Sequence, residues 1–152
     1  FQEFFEAKKS KHLPRMMGFQ VSGSAPLVEG KSIKNPETIA TAIRIGNPVN
    51  KEKALLARAS SNGKFSSVTD SEIIETYKIL GKEEGIFCEP ASAASVAGLL
   101  KVKNDVPKSS TIVCVLTGNG LKDPDCAIKN NDSIFHTGIE PEMNSISKIM
   151  GF

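Results

Sequence analysis

Histidine and cysteine are scarce in this 152-residue chain, which narrows the chemistry that it can carry. The two histidines, His12 and His136, are isolated in segments that look peripheral, so we expect neither to act in acid–base catalysis. The three cysteines, Cys88, Cys114 and Cys126, are odd in number and lack the spacing of metal ligands. This pattern predicts reduced, partly buried thiols rather than disulfides or a zinc site.

The chain also lacks a charge excess and a long hydrophobic run. Its formal net charge is +2 and its lysines are scattered among acidic neighbours, which argues against a nucleic-acid partner. The longest basic run, residues 8–12, is interpreted as a solvated helix end. No run approaches the length of a membrane span and no signal peptide is recognisable, so we expect a cytoplasmic protein, bacterial or alternatively plastid, without a membrane partner.

What is present is the composition of an ordinary domain that can bury a core, with 39% hydrophobic and 24% charged residues. Helical patterns alternate with short apolar runs at residues 16–21, 64–68, 85–88 and 111–116. This alternation predicts an α/β fold, a mainly parallel sheet with flanking helices. The chain starts at Phe1, inside a predicted helix, so we expect it to be a piece of a longer protein.

Residues 111–124 organise this interpretation. Residues 111–116 are apolar or β-branched and are followed by a Gly-rich turn. This pattern is typical of a strand that is buried on both faces of a parallel sheet. Asp123 and Pro124 then begin a helix, with Asp123 as its N-cap. Because ligands bind beyond the carboxyl ends of parallel strands, the turn at residues 117–120 is predicted to lie at the mouth of a site.

The turn itself, Thr117-Gly118-Asn119-Gly120, has two interpretations. Its backbone N–H groups could cradle a phosphate, since glycine lets the backbone approach an anion closely. Its glycines could instead only supply positive φ angles, which we favour from spacing alone. The turn lacks the third glycine of a Rossmann fingerprint and the Lys-Ser/Thr pair of a P-loop.

Capping signals predict where several helices begin. Thr69 and Glu72 form a capping box, Asn47 with Pro48 is predicted to cap a helix that ends near Ser60, and Glu89 precedes a helix rich in Ala, Ser and Gly. Residues 38–46 are ambiguous between an extended segment and a short helix. A short tail helix is predicted at residues 144–149.

Four stretches closely resemble the threonine synthase family, in order and with compatible spacing. They are residues 13–20, 36–48, 83–94 and 117–124. The resemblance runs from about Phe1 to Ala127, and the four motifs together are far more specific than any one of them. It implies the tryptophan-synthase-β-like fold (fold type II), in which residues 1–130 would be the C-terminal part of the large cofactor-binding domain and residues 131–152 a tail.

The resemblance also implies an activity and a cofactor. The parent enzyme would be a carbon–oxygen lyase, a homodimer that uses pyridoxal 5′-phosphate (PLP) to convert O-phospho-L-homoserine and water into L-threonine and phosphate. Thr117 matches the hydroxyl that binds the ring nitrogen of PLP, with Gly118 beside it, and Ala42 matches a small residue on a face of the ring. The alternative for Ala42 is ordinary packing.

Glu89 and Ser92 match a helix start that borders the cofactor pocket, with pure helix capping as the alternative. Lys122 is excluded as the Schiff-base lysine, because the family's lysine and its phosphate loop would lie before Phe1. We therefore expect no catalytic residue in this chain and no activity from it alone. Two rival functions remain, a serine/threonine dehydratase of the same fold and a non-catalytic packing or dimerisation module.

Overall fold

The computed structural model describes residues 1–130 and 138–151. Seven α-helices and two β-strands follow one another in this part of the chain: α1 (Gln2–Glu6), β1 (Met17–Val21), α2 (Pro26–Glu29), α3 (Lys51–Ser60), β2 (Lys64–Val68), α4 (Asp70–Glu84), α5 (Pro90–Val102), α6 (Pro124–Asn130) and α7 (Met143–Met150). Three short 3₁₀ turns lie at Thr41–Ile43, Lys103–Asp105 and Gly120–Lys122. No helix of the described residues is long and apolar enough to cross a membrane.

The two strands form a parallel pair, in register from Met17 opposite Lys64 to Val21 opposite Val68. Helices α2 and α3 lie between the strands in sequence, so the unit is a βαβ crossover. The expected α/β fold with a parallel sheet is confirmed.

Helix α5 packs on the sheet, and α4 packs on α5. The core between them combines Val21, Val68 and Ile73 with the small residues of α5, of which Ala93 is fully buried. The ring of Phe19 lies against Gly98, where a Cβ would overlap it. The small side chains of α5 therefore let this helix approach the sheet closely.

Local signals placed several helix ends correctly. The capping box of α4 is formed, because the Thr69 hydroxyl accepts from the Glu72 N–H at 3.1 Å and the Glu72 carboxylate accepts from the Thr69 N–H at 2.7 Å. The Asp123 carboxylate accepts from the Cys126 N–H at 3.2 Å and so caps α6. The predicted tail helix is also present, as α7.

The expected cap at Asn47 is wrong. Helix α3 begins at Lys51 with Asn50 at its N-cap position. The Asn47 carboxamide oxygen instead accepts a hydrogen bond from the Ser32 hydroxyl at 3.2 Å, so it joins two loops. Leu56 of this helix is 67% exposed.

The prediction of a buried strand at residues 111–116 is also wrong. This stretch joins neither strand of the described sheet, and Val113 and Val115 are 82% and 65% exposed. It runs beside α5, where the Ser95 hydroxyl donates to the Val115 carbonyl at 3.3 Å. The apolar sequence is suited to a strand, but a strand also requires a neighbour for its backbone N–H and C=O groups.

Residues 85–88 form no strand either. Cys88 makes one isolated antiparallel bridge with Asn119. The domain boundary after residue 130 remains a prediction, and residues 131–137, which include His136, lie outside the described part of the chain.

Candidate functional site

The start of α5 meets the turn that follows residues 111–116. The Glu89 N–H donates to the Gly118 carbonyl at 3.0 Å, and the Gly120 N–H donates to the Phe87 carbonyl at 3.1 Å. With the bridge between Cys88 and Asn119, these bonds pair two short segments, residues 87–89 and 118–120, in antiparallel fashion. The pairing brings together four of the five residues that the sequence selected: Glu89, Ser92, Thr117 and Gly118.

Ser92 lies at the centre of this site, and only 1% of it is exposed. Its Oγ accepts a hydrogen bond from the Gly118 N–H at 2.8 Å. The same oxygen lies 3.2 Å from the Thr117 Oγ1 and 3.2 Å from the Gly118 carbonyl oxygen. Ser92 therefore ties the first turn of α5 to Thr117 and Gly118 of the neighbouring turn.

Thr117 is exposed, although its hydroxyl is tied to a buried serine. This arrangement presents a fixed, uncharged hydrogen-bonding group at the surface, which can accept or donate one further bond.

Glu89 and Gly118 touch. Glu89 is buried, with 6% exposed, and its carboxylate lies where a Cβ of residue 118 would be. Glu89 occupies the N-cap position of α5, but its side chain makes no capping hydrogen bond. The Glu89 side chain therefore does not cap α5.

The glycines of the turn allow neighbouring side chains to pack closely against the backbone, and they do not adopt a special backbone conformation. Gly118 and Gly120 are absent from the glycines that adopt positive φ in the described chain. A Cβ on Gly118 would overlap the Glu89 carboxylate, and one on Gly120 would overlap the Phe87 ring. The interpretation that these glycines only supply positive φ is therefore wrong.

Ala42, the fifth candidate, lies in the 3₁₀ turn Thr41–Ile43 and is exposed. This turn contacts α5, the helix that carries Ser92. The segment before it is held by Asp70, whose carboxylate accepts from the Thr38 hydroxyl at 2.5 Å and from the Ile39 N–H at 3.3 Å. Ala42 thus lies next to the same helix but outside the hydrogen-bonded cluster.

Two supporting residues were missed by the sequence analysis. Ser95 lies one turn after Ser92 on α5 and bonds to the Val115 carbonyl, so both hydroxyls bind the same passing chain. Two hydroxyl residues spaced three apart in an apolar helix lie on the same face, and this spacing could have indicated Ser95. Asp70 gave no such signal, because Thr38 lies 32 residues before it.

Thiols of the described chain are poorly suited to chemistry. Burial raises the pKa of the Cys88 thiol and the pKa of the Cys114 thiol. Burial also raises the pKa of Cys126, and the nearby Asp123 charge adds to that effect. These thiols are therefore protonated and weakly nucleophilic at neutral pH, as expected for the three free cysteines.

One surface depression of the described residues lies elsewhere. It measures about 520 Å³, lies beside α4, and is lined by residues that include Ile39, Asp70 and Ile74. None of the five candidate residues lines it. The depression therefore lies apart from the site at Ser92 and Thr117.

The cluster fits one end of a PLP site. A pyridine nitrogen needs one hydrogen-bonding partner, and an uncharged hydroxyl such as that of Thr117 can supply it. No lysine makes a hydrogen bond to Ser92, Thr117 or Gly118 among the bonds of the described residues.

Comparison with known proteins gives a consistent result. A family model described as "Pyridoxal-phosphate dependent enzyme" matches residues 2–118. The chain is 59% identical to threonine synthase of Synechocystis sp. over 100% of its own length and 40% of the relative, and 49% identical to threonine synthase of Methanocaldococcus jannaschii over 99% and 39%. The chain therefore spans about two fifths of the length of these relatives.

The fold is similar to that of a solved structure. A variant of O-ureido-L-serine synthase with O-ureido-L-serine bound superposes with a TM-score of 0.64, at 17% identity, over 90% of this chain and 39% of that one. At this identity the likeness concerns the fold alone.

Proposed function

The chain belongs to the family of pyridoxal-phosphate-dependent enzymes, and from that premise we propose that it forms the part of a threonine synthase that holds the ring nitrogen of PLP. The complete enzyme, called the parent enzyme below, converts O-phospho-L-homoserine and water into L-threonine and phosphate and acts as a homodimer. The observation that carries this proposal is the exposed Thr117 hydroxyl fixed by buried Ser92. The identity of 59% to a threonine synthase supports the choice of reaction.

Bound PLP supplies an electron-withdrawing pyridine ring. In this chain, Thr117 would hold the ring nitrogen with an uncharged hydroxyl, and Gly118 would keep the neighbouring backbone free of a side chain. Ala42 would border a face of the ring. Glu89 keeps the turn in place through its contact with Gly118 and through the bond from its N–H to the Gly118 carbonyl.

On this proposal the residues that react lie outside the 152 positions. The side chains of the five candidate residues are two hydroxyls, one carboxylate, one methyl group and one hydrogen atom. None is an amine that could bind PLP covalently. Because the chain spans about two fifths of the length of its threonine synthase relatives, we expect it to be inactive alone and the parent enzyme to be active.

An assay for phosphate and L-threonine tests the proposal. The parent enzyme should release both in equal amounts from O-phospho-L-homoserine, whereas this chain alone should release neither. A parent enzyme that instead deaminates L-serine or L-threonine, and leaves O-phospho-L-homoserine untouched, would be a dehydratase. Threonine formation by the chain alone would contradict the assignment of the reactive residues.

The exposed apolar residues between positions 112 and 115 favour a second candidate, a non-catalytic packing or dimerisation module. Such a module would bind no PLP in any context. Absence of the cofactor's visible absorbance from the purified parent enzyme would support it.

A further inference from the structure

We propose that Asp70, acting through Thr38, is a positioning residue for the cofactor. It fixes the segment of residues 37–45, from which Ala42 would face the PLP ring. The inference rests on the proposed function, in which Ala42 borders that ring. It gives Asp70 a role that is exerted through the 37–45 segment rather than by contact with the cofactor.

The 37–45 segment is bonded to the loops that follow both strands of the sheet. At its start the Glu37 N–H donates to the Gly23 carbonyl at 3.0 Å, and at its end the Ile45 N–H donates to the Ser24 Oγ at 2.9 Å. Gly23 and Ser24 follow β1, whereas Asp70 follows β2. The segment therefore lies at the carboxyl ends of two parallel strands, which is where α/β folds bind their ligands.

Asp70 makes the charged attachment of this segment. Its carboxylate accepts from the Thr38 hydroxyl at 2.5 Å and from the Ile39 N–H at 3.3 Å. The Thr38 hydroxyl also accepts from the Ala40 N–H at 3.0 Å, so one carboxylate fixes three successive residues. Hydrogen bonds to a charged group are stronger than neutral ones, and Thr38 is only 7% exposed, which limits competition from water.

The next residues of the segment show why this attachment reaches Ala42. Ala40 is fully buried in the core, and Ile43 packs against the same core. The Ile43 N–H donates to the Ala40 carbonyl at 3.0 Å, and Ala42 is exposed between these two inward residues. A shift of residues 38–40 would therefore also move the methyl group of Ala42.

A methyl group that packs on a planar ring tolerates little displacement. Dispersion attraction falls steeply with distance, and a gap of about 0.5–1 Å already loses about a quarter to a half of it. Loss of the attachment at Thr38 should therefore weaken PLP binding and let the bound ring tilt.

The test is reconstitution of the cofactor-free parent enzyme with PLP. Thr38→Val removes the hydroxyl at nearly constant volume and should weaken PLP binding about tenfold, the effect of one hydrogen bond to a charged group. At saturating PLP it should also reduce the visible circular dichroism of the bound cofactor, because the ring is held less firmly. Thr38→Ser keeps the hydroxyl and should restore both the affinity and the dichroism.

Thr76→Val is the matched control. It makes the same change at a threonine that is 2% exposed, but the Thr76 hydroxyl donates to the Glu72 carbonyl within α4 at 2.7 Å. PLP affinity and dichroism should equal those of the wild type. Should Thr38→Val fail to fold, Asp70→Asn replaces one accepting oxygen with a donor and should weaken PLP binding as well.

Two results overturn the inference. Wild-type affinity and dichroism in Thr38→Val would mean that the attachment does not position the cofactor. Equal losses in Thr38→Val and Thr76→Val would mean that any buried hydroxyl has the same effect. Both results are separate from the proposed function, which fails if the wild-type parent enzyme makes no threonine.

Discussion

The carboxylate of Glu89 lies against the α-carbon of Gly118, where any Cβ would overlap it. The two residues are also joined by the bond from the Glu89 N–H to the Gly118 carbonyl. A buried acid, the start of α5 and the turn beside Thr117 are therefore held as one unit. The position of the Thr117 hydroxyl depends on this close contact.

Gly118→Ala should destabilise the chain by about 2 kcal/mol, the usual effect of overpacking a tight contact, and should weaken PLP binding by the parent enzyme. Gly81→Ala is the control, because it adds the same methyl group within α4, where no atom lies within 4 Å. The control should be neutral or stabilising, as alanine favours a helix. Denaturant unfolding of both variants measures the difference, and equal stabilities would contradict the contact.

Asp70→Ala should loosen the segment before Ala42. The Asp70 carboxylate holds the Thr38 hydroxyl and the Ile39 N–H, so its loss frees two bonds to one charged group. Amide hydrogen exchange at residues 38–43 should speed up about tenfold or more, given the strength of bonds to charged groups. Ser71→Ala, in the same helical turn, is the control and should leave that exchange unchanged. If exchange at residues 38–43 stays slow in both variants, Asp70 does not hold the segment.

Glu72 should make stability depend on pH in the acid range. The bond from the Thr69 N–H lowers the pKa of Glu72 below its usual 4.5, and the charge of Lys101 lowers it further, while desolvation opposes both. A lowered pKa in the folded state stabilises the fold above the unfolded value of about 4.5, and this contribution is lost as the pH falls below it. Glu72→Gln should therefore be less stable than the wild type at pH 7 and close to it at pH 3. A constant difference between the two, measured by urea unfolding across this range, would contradict the linkage.

Cys88 and Cys126 should react slowly with iodoacetamide in the folded chain. Burial raises the pKa of both thiols, which lowers the fraction of reactive thiolate and also restricts access. Labelling at pH 8 should be far faster in urea than in buffer, as mass spectrometry can follow for each thiol. Equal rates in the two solutions would mean that neither thiol is buried.

Local signals in the sequence predicted the local structure well. The capping box at Thr69 and the cap at Asp123 each depend on residues within one helical turn. These features need no information from distant parts of the chain. The alternation of helices and strands also predicted a parallel sheet, although β1 and β2 are distant in the sequence and pair from Met17 opposite Lys64 to Val21 opposite Val68.

The errors arose where the partner is distant. Asn47 bonds to Ser32 instead of capping α3, and residues 111–116 have the composition of a strand but no strand beside them in the described sheet. The site depends on the same kind of contact, since Ser92 and Thr117 lie 25 residues apart. The resemblance to a family named these residues, whereas the hydrogen bonds between them could be read only from the fold.

We propose that this chain holds the ring nitrogen of PLP while the lysine that binds the cofactor lies outside its 152 positions. Borohydride reduction of the PLP-loaded parent enzyme, followed by peptide mass spectrometry, tests this proposal directly because reduction fixes PLP to its lysine. We expect one stoichiometric adduct on a lysine outside this chain, and no stoichiometric adduct when the chain is treated alone. A single stoichiometric adduct on a lysine within this chain would contradict it.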